Sequence, residues 1–412
     1  MAIKTIRVKN FKSFRDVEVH LGDFNVLIGA NASGKSNFIR IIEFLRDIQR
    51  YDLGNAISLQ GGSEYLTNLN IGSGEGLYAE VLLSGFDSLD MGLVGTSDDG
   101  STLHLTPHDA RHGFSIAFLN APPGFEIREE RLTLNGQFVS TGFGRPARTF
   151  GVGAVHFERR GGVTTACLEP PEGVSFAEYQ MRGLASERVT GQSFMLDQLL
   201  FNVERIIKDT ATYDFDPKLP KKATPVTGKA DLEEDGSNLA IVLKRIIQSE
   251  EGRRKLANLL RDLLPFVTDL DVENFADKSL LFSLTETYAK DKHLPASLVS
   301  DGTINITALI VALYFEKKAI AIIEEPERNV HPHLISRITA MMKDASRQKQ
   351  IIVTTHNPEV IKSTDVSDVL LVSRDAEGFS TISRPAEKEE VKVFLQNEMG
   401  LEELFAQNLL HA

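Results

Sequence analysis

Residues 29–36 read Gly-Ala-Asn-Ala-Ser-Gly-Lys-Ser, a spacing suited to wrapping a backbone around an anion. Gly29 and Gly34 permit the tight curl that turns successive N–H groups inward. A lysine at position 35 reaches β- and γ-phosphate oxygens, and the Ser36 hydroxyl ligates Mg²⁺. The helix that must follow presents its positive end to the same anion. The flanks agree: Phe24–Ile28 is an apolar run that predicts a buried strand, and 37–45 carries apolar residues at helical spacing. Gly29, Ala30, Asn31, Ala32, Ser33, Gly34, Lys35, Ser36 and Asn37 are therefore the predicted contacts to a nucleoside triphosphate.

Phosphoryl transfer also needs metal-holding and water-activating acids. Ala319–Ile323 is a continuous apolar strand that ends in Glu324-Glu325-Pro326-Glu327, delivering acids at a carboxyl end, where open α/β sheets bind ligands. Glu324 is the predicted Mg²⁺ ligand and Glu325 the group that polarises the attacking water. Ile351–Thr355 is a second buried strand, and His356 at its end is placed to meet the γ-phosphate or that water. Ser300 and Gly302 precede a long apolar helix and offer an anion-binding helix start; spacing does not separate this from a plain helix cap.

These groups need a frame. Apolar strands alternating with helices from 295 onward predict an α/β fold with a parallel central sheet. Residues 46–190 are richer in short strand signals, such as Phe114–Phe118 and Thr149–Val152, and predict a β-rich lobe. Residues 193–209 have helical periodicity. Residues 210–236, with Pro217, Pro220 and Pro225, predict a linker, and helices are expected near 237–249 and 251–264. The expected division is an ATPase-like core at 1–45 and 295–385, a β-rich lobe at 46–190, a helix-and-strand subdomain at 191–294, and a C-terminal helix at 386–412.

Composition limits the partners. The 412 residues carry 45 Lys+Arg against 57 Asp+Glu, a formal net charge of −12, which excludes a generally basic surface. Nucleic acid would need a local basic patch, for which Arg145, Arg148, Arg159 and Arg160 are the candidates, or a groove formed on dimerisation. The lone Cys167 suits a reducing cytoplasm, and no apolar run is long enough to span a membrane. His104, His108 and His112 fall four apart, but Pro107 and the strand-like flanks oppose the helix a metal site would require.

Taken together, the motifs resemble the ABC-type ATPase heads of the RecF/SMC-like superfamily, in the compact AAA/OLD-like bacterial form without a nuclease domain. Asn10–Phe14 resembles the family's opening strand-turn, 29–36 its Walker A, 320–325 its Walker B, His331-Pro332 its D-loop and 354–358 its switch-histidine strand. Residues 299–303 stand in place of the signature, as Ser-Asp-Gly-Thr, and Asp235–Leu239 is similar to a recurring element of the group. No Q-loop glutamine stands out among Gln60, Gln180, Gln192 and Gln198. The resemblance implies a P-loop head with a mixed or parallel central sheet, a helical signature subdomain, and ATP and Mg²⁺ as cofactors. It also implies a head-to-tail homodimer in which Ser300 and Gly302 cap the partner's nucleotide. The stretch after His356 is too short for a nuclease. Two roles follow as expectations: an ATP-driven switch in DNA maintenance or phage defence, or a scaffold that regulates a separate effector protein.

Overall fold

The computed structural model describes residues 2–86, 93–96, 102–120, 124–142, 145–171, 207–275, 278–289, 292–389, 391 and 400–406. The chain forms two compact units. One contains 1–21, 37–209 and 374–382; the other contains 22–36, 210–373 and 383–412.

The first unit is built on an antiparallel sheet. Its strands are β1 (Ala2–Phe11), β2 (Phe14–His20), β4 (Leu77–Ser84), β6 (Thr102–Phe118), β7 (Phe125–Gly142), β8 (Arg145–Arg160) and β9 (Val163–Glu169), in the order β2-β1-β4-β6-β7-β8-β9, with β5 (Leu93–Thr96) against β6. β1 and β2 thus join the β-rich sheet, whereas their sequence position had grouped them with the core. Helix α1 (Lys35–Arg50) buries Phe38, Ile41, Ile42 and Phe44, and Phe44 meets Phe11 at 5.8 Å between ring centroids. The Asn10–Phe14 turn has its own fastening. Asn10 takes the left-handed backbone that asparagine tolerates (φ 56°). Its buried side chain donates to the carbonyls of Gly72 and Gly76 at 2.9 and 2.7 Å and accepts from Asn68 N at 3.0 Å.

The second unit holds a parallel run formed by β3 (Phe24–Ile28), β10 (Thr210–Tyr213), β15 (Ile320–Glu324), β16 (Gln350–Thr355) and β17 (Val369–Arg374). Their order is β10-β15-β16-β3-β17, each neighbouring pair parallel. Val26, Ile322, Ile323, Ile352 and Val353 are fully buried, as expected for strands covered on both faces. A smaller antiparallel sheet pairs β13 (Ser279–Glu286) with β12 (Val267–Phe275), β11 (Thr224–Pro225) and β14 (His293–Pro295). Helices α2 (Leu239–Ile247), α3 (Glu250–Leu263), α4 (Asp301–Tyr314) and α5 (Pro332–Ala345) complete this unit. α4 is buried on every residue from Thr303 to Leu313, so it is a core helix rather than an amphipathic surface one.

The linker expected at 210–236 is instead structured. It opens with β10, and its remainder is tied down by buried Asn238, which donates to the carbonyls of Lys229 and Asp231 at 3.1 and 2.8 Å and accepts from Glu233 N at 2.8 Å. The segment also contains β11, which includes Pro225, and backbone bonds such as Asp214 N to the Glu234 carbonyl add to the anchoring. Among the described residues, no helix is long and apolar enough to cross a membrane.

Candidate active site

The sheet register brings the predicted chemistry to one edge. Ile28 is opposite Thr355, and Glu324 is opposite Thr354. The carboxyl ends of β3, β15 and β16 therefore emerge side by side, carrying respectively the glycine loop, the acidic turn and His356.

The loop's conformation explains its residues. A Cβ at Gly29 would run into the Val372 carbonyl oxygen, so a larger residue is excluded. Gly34 (φ 120°) and Ala32 (φ 62°) hold the left-handed curl. Lys35 folds back across the loop, its Nζ donating to the carbonyls of Gly29 at 2.7 Å and Ala30 at 3.1 Å. Half-burial pushes the Lys35 ammonium below its ordinary range, and the negative charge of Glu325 works in the opposite direction. α1 begins at Lys35 with no acidic residue in its first turn, so nothing offsets the positive helix end. An ammonium, a helix start and a curled backbone fit a phosphate chain. The Ser36 hydroxyl and the Glu324 carboxylate fit Mg²⁺, a hard cation that takes oxygen ligands. Asn37 is different: its side-chain amide donates to Ser13 Oγ at 2.8 Å and is thereby engaged by the Asn10–Phe14 turn.

The acidic turn is more constrained than its sequence shows. Glu325 has a positive φ of 45°, which is uncommon for a residue with a Cβ. Its N–H donates to the Thr354 carbonyl at 2.9 Å, and the Arg328 N–H donates back to its own carbonyl at 3.0 Å. Glu325 Oε1 lies 2.9 Å from His356 Nδ1. With a hydrogen on Nδ1 shared in this way, His356 keeps Nε2 for another partner. Glu325 Oε2 accepts from Arg328 Nη2 at 3.0 Å, and Arg328 Nη1 donates to Asp214 Oδ1 at 2.8 Å. Below these, Thr355 Oγ1 donates to Glu327 Oε1 at 2.6 Å and accepts from Asn357 N at 2.9 Å. Burial pushes the Glu327 carboxyl above its usual range. Asp214 and Arg328 were not singled out in the sequence, and Glu327 and Thr355 appeared there only as members of longer motifs with no role of their own. The signal for Asp214 was hidden in a proline-rich stretch; Arg328 offered only its place directly after Glu-Pro-Glu.

Ser300 caps α4, its Oγ accepting from Thr303 N at 3.1 Å. A Cβ on Gly302 would come within 2.5 Å of the Asn329 carbonyl oxygen, and Asn305 donates to the Arg328 carbonyl at 2.7 Å. Within one chain, then, the predicted signature is packed on the turn that follows the acids. His331 and His333 sit together in the next turn, with Nδ1 atoms 2.6 Å apart, and His331 caps α5.

The other sequence candidates fare differently. Arg159 pairs with Glu130 at 3.3 Å, and Arg160 pairs with Glu129 and Glu158 at 2.9 and 2.8 Å, so these two members of the arginine patch are locally matched by acids. Arg148 lies over the Phe150 ring, and the side chain of Arg145 is outside the described residues. His104, His108 and His112 all lie on β6, and His112 pairs with Glu130 at 3.1 Å. No metal-binding cluster of His, Cys, Asp or Glu occurs among the described residues. Gln60 is buried at the end of a short helix; Gln180, Gln192 and Gln198, the helical pattern at 193–206, and residues 392–399 and 407–412 of the expected C-terminal helix lie outside the described residues.

Two family models match the chain. Residues 1–80 match an AAA ATPase domain, and residues 188–362 match an AAA domain described as a candidate AbiEii toxin of a type IV toxin–antitoxin system. No curated protein matches it. Among solved structures, it is similar to an SMC head bound to the C-winged-helix domain of ScpA, with TM-score 0.46, 15% identity and 93% and 97% of the two chains covered. An SMC head from Thermotoga maritima gives TM-score 0.43 and 14% identity over 93% and 99%. An SMC head with an extended coiled coil, bound to the C-terminal domain of ScpA derived from Pyrococcus furiosus, gives 0.43 and 14% over 96% and 99%.

Proposed function

We propose that this chain, matched by two AAA-type ATPase models, is an ATPase head of the RecF/SMC-like ABC type that binds ATP and hydrolyses it as a conformational switch. The observation that carries this reading is the pairing of Glu325 Oε1 with His356 Nδ1 at 2.9 Å, on the sheet edge that also bears the Lys35 loop. Lys35 and the amides of 29–37 hold the phosphates. Ser36 and Glu324 hold Mg²⁺, which when bound supplies positive charge to the phosphate oxygens. Glu325 accepts a proton from the attacking water, and His356 orients Glu325 while offering Nε2 to the phosphate side.

We further propose that the working form is an ATP-dependent head-to-tail homodimer. Ser300 and Gly302 of each subunit close over the nucleotide of the other, and the cycle serves DNA maintenance or phage defence in the cytoplasm. A second reading is favoured by the toxin–antitoxin description of the model matching 188–362: an ATPase scaffold that holds an effector, such as a nuclease or toxin, inactive. Turnover by the purified chain is the test. Glu325→Gln is expected to lower kcat by about a hundredfold or more, the scale of a general-base contribution. Normal turnover by that variant would remove Glu325 from the mechanism. Stimulation of the wild type by DNA favours the switch; a stable complex with a separate effector and no response to DNA favours the scaffold.

A further inference from the structure

We propose that Arg328 is a positioning residue for Glu325, anchored by Asp214 and by the α4 residue Asn305; this rests on the reading of Glu325 as the general base. Four contacts define it. One guanidinium nitrogen donates to Glu325 Oε2 at 3.0 Å, and the other donates to Asp214 Oδ1 at 2.8 Å. The backbone N–H of Arg328 bonds Glu325 O at 3.0 Å, and its carbonyl accepts from Asn305 Nδ2 at 2.7 Å. The side chain and the backbone of Arg328 are thus fixed independently, from the residue that follows β10 on one side and from the predicted signature helix on the other.

The exposure of these groups decides what the contact is for. The Arg328, Glu325 and Asp214 side chains are 42, 32 and 48% exposed, so the pairs add little to folding. Their effect is on geometry. A carboxylate at the end of a strand has a free χ rotation, and Arg328 and His356 remove it by taking one oxygen each. Each oxygen keeps a second lone pair, so the clamp leaves room for a water. A guanidinium suits this bridging role because its nitrogens diverge in a fixed plane, which an ammonium cannot reproduce. Lys35 and Glu327 also act electrostatically on this turn, yet neither provides a hydrogen bond to Glu325.

The test is steady-state ATP turnover of the full chain with Arg328→Ala, Arg328→Lys and Asp214→Asn. Misplacing a base by about an ångström costs up to a hundredfold, so Arg328→Ala should lower kcat about tenfold or more while KM stays within about twofold. Arg328→Lys should recover part of the loss, and Asp214→Asn should give a smaller loss of the same kind. Because Arg328 acts through Glu325, Arg328→Ala should cost nothing further in single-turnover assays on Glu325→Gln protein. A kcat within about twofold of wild type for Arg328→Ala, or an equal loss in the Glu325→Gln background, overturns the assignment. Should Arg328→Ala fail to fold in a thermal melt, Asp214→Asn decides: unchanged kcat overturns the proposal. A wild-type chain that hydrolyses no ATP overturns the functional reading and this inference together; active wild type with unaffected variants overturns this inference alone.

Discussion

Glu327 is held differently from the two acids before it. It is 8% exposed, its Oε1 accepts from Thr355 Oγ1, and burial raises its pKa. A carboxyl whose folded pKa lies above the unfolded value near about 4.3 contributes its full stability below that value and loses it as pH rises through the folded pKa. Glu327→Gln, which stays neutral, should escape this loss. The stability of the variant relative to wild type is therefore expected to increase from pH 4 to pH 7 in urea titrations. A difference independent of pH would show that Glu327 titrates as an ordinary carboxylate. At this scale the glycine loop, Glu324, Glu325 and His356 were readable because phosphate chemistry fixes residue type and spacing together. Arg328 and Asp214 were not: an arginine after an acidic turn reads as solvated, and its meaning depends on a strand more than a hundred residues away, 114 positions for the Arg328–Asp214 pair.

Among the elements, β3, β15 and β16 were legible from their unbroken apolar runs and the helices at 239–247 and 250–263 from their periodicity, whereas β10, with the sequence Thr-Ala-Thr-Tyr, was hidden in the expected linker. The β-rich lobe was read as short strand segments, and Pro107, Gly136, Gly151 and Gly153 are residues that commonly interrupt strands. They lie inside long strands instead. A Cβ on Gly136 would strike the Thr106 carbonyl, and the β6–β7 register shifts between Pro107 and Asp109, so these residues permit a bulge and close backbone approach. Gly302 makes a comparable approach in α4. Gly302→Ala must push α4 away from Asn329 and strain the Asn305–Arg328 bond. Overpacking of this kind costs about 1–3 kcal/mol. The expected outcome is a lower urea midpoint with reduced turnover, and an unchanged midpoint would mean that the Asn329 carbonyl yields freely.

At the level of the whole molecule, the prediction concerns assembly. Each chain uses Ser300 to cap its own α4 and packs Gly302 on its own post-acidic turn, leaving the proposed capping of a nucleotide to a second copy. With ATP and Mg²⁺, Glu325→Gln protein should double in mass by light scattering and return to the starting mass when nucleotide is removed. A mass unaffected by ATP would refute the dimer. The net charge of −12 opposes association, so added salt should favour the dimer by screening. Within the arginine patch, Arg159 and Arg160 are already paired with acids, which weakens their claim on phosphates.

β3 lies between β16 and β17, and Asn25 is within hydrogen-bonding distance of a carbonyl 326 positions further along. During synthesis β3 leaves the ribosome some 326 residues before its partner strand β16. A nascent chain thus spends most of its elongation with an apolar strand lacking its mates, open to aggregation and to chaperones. The frame of the proposed nucleotide site is therefore complete only once both flanking strands have been made.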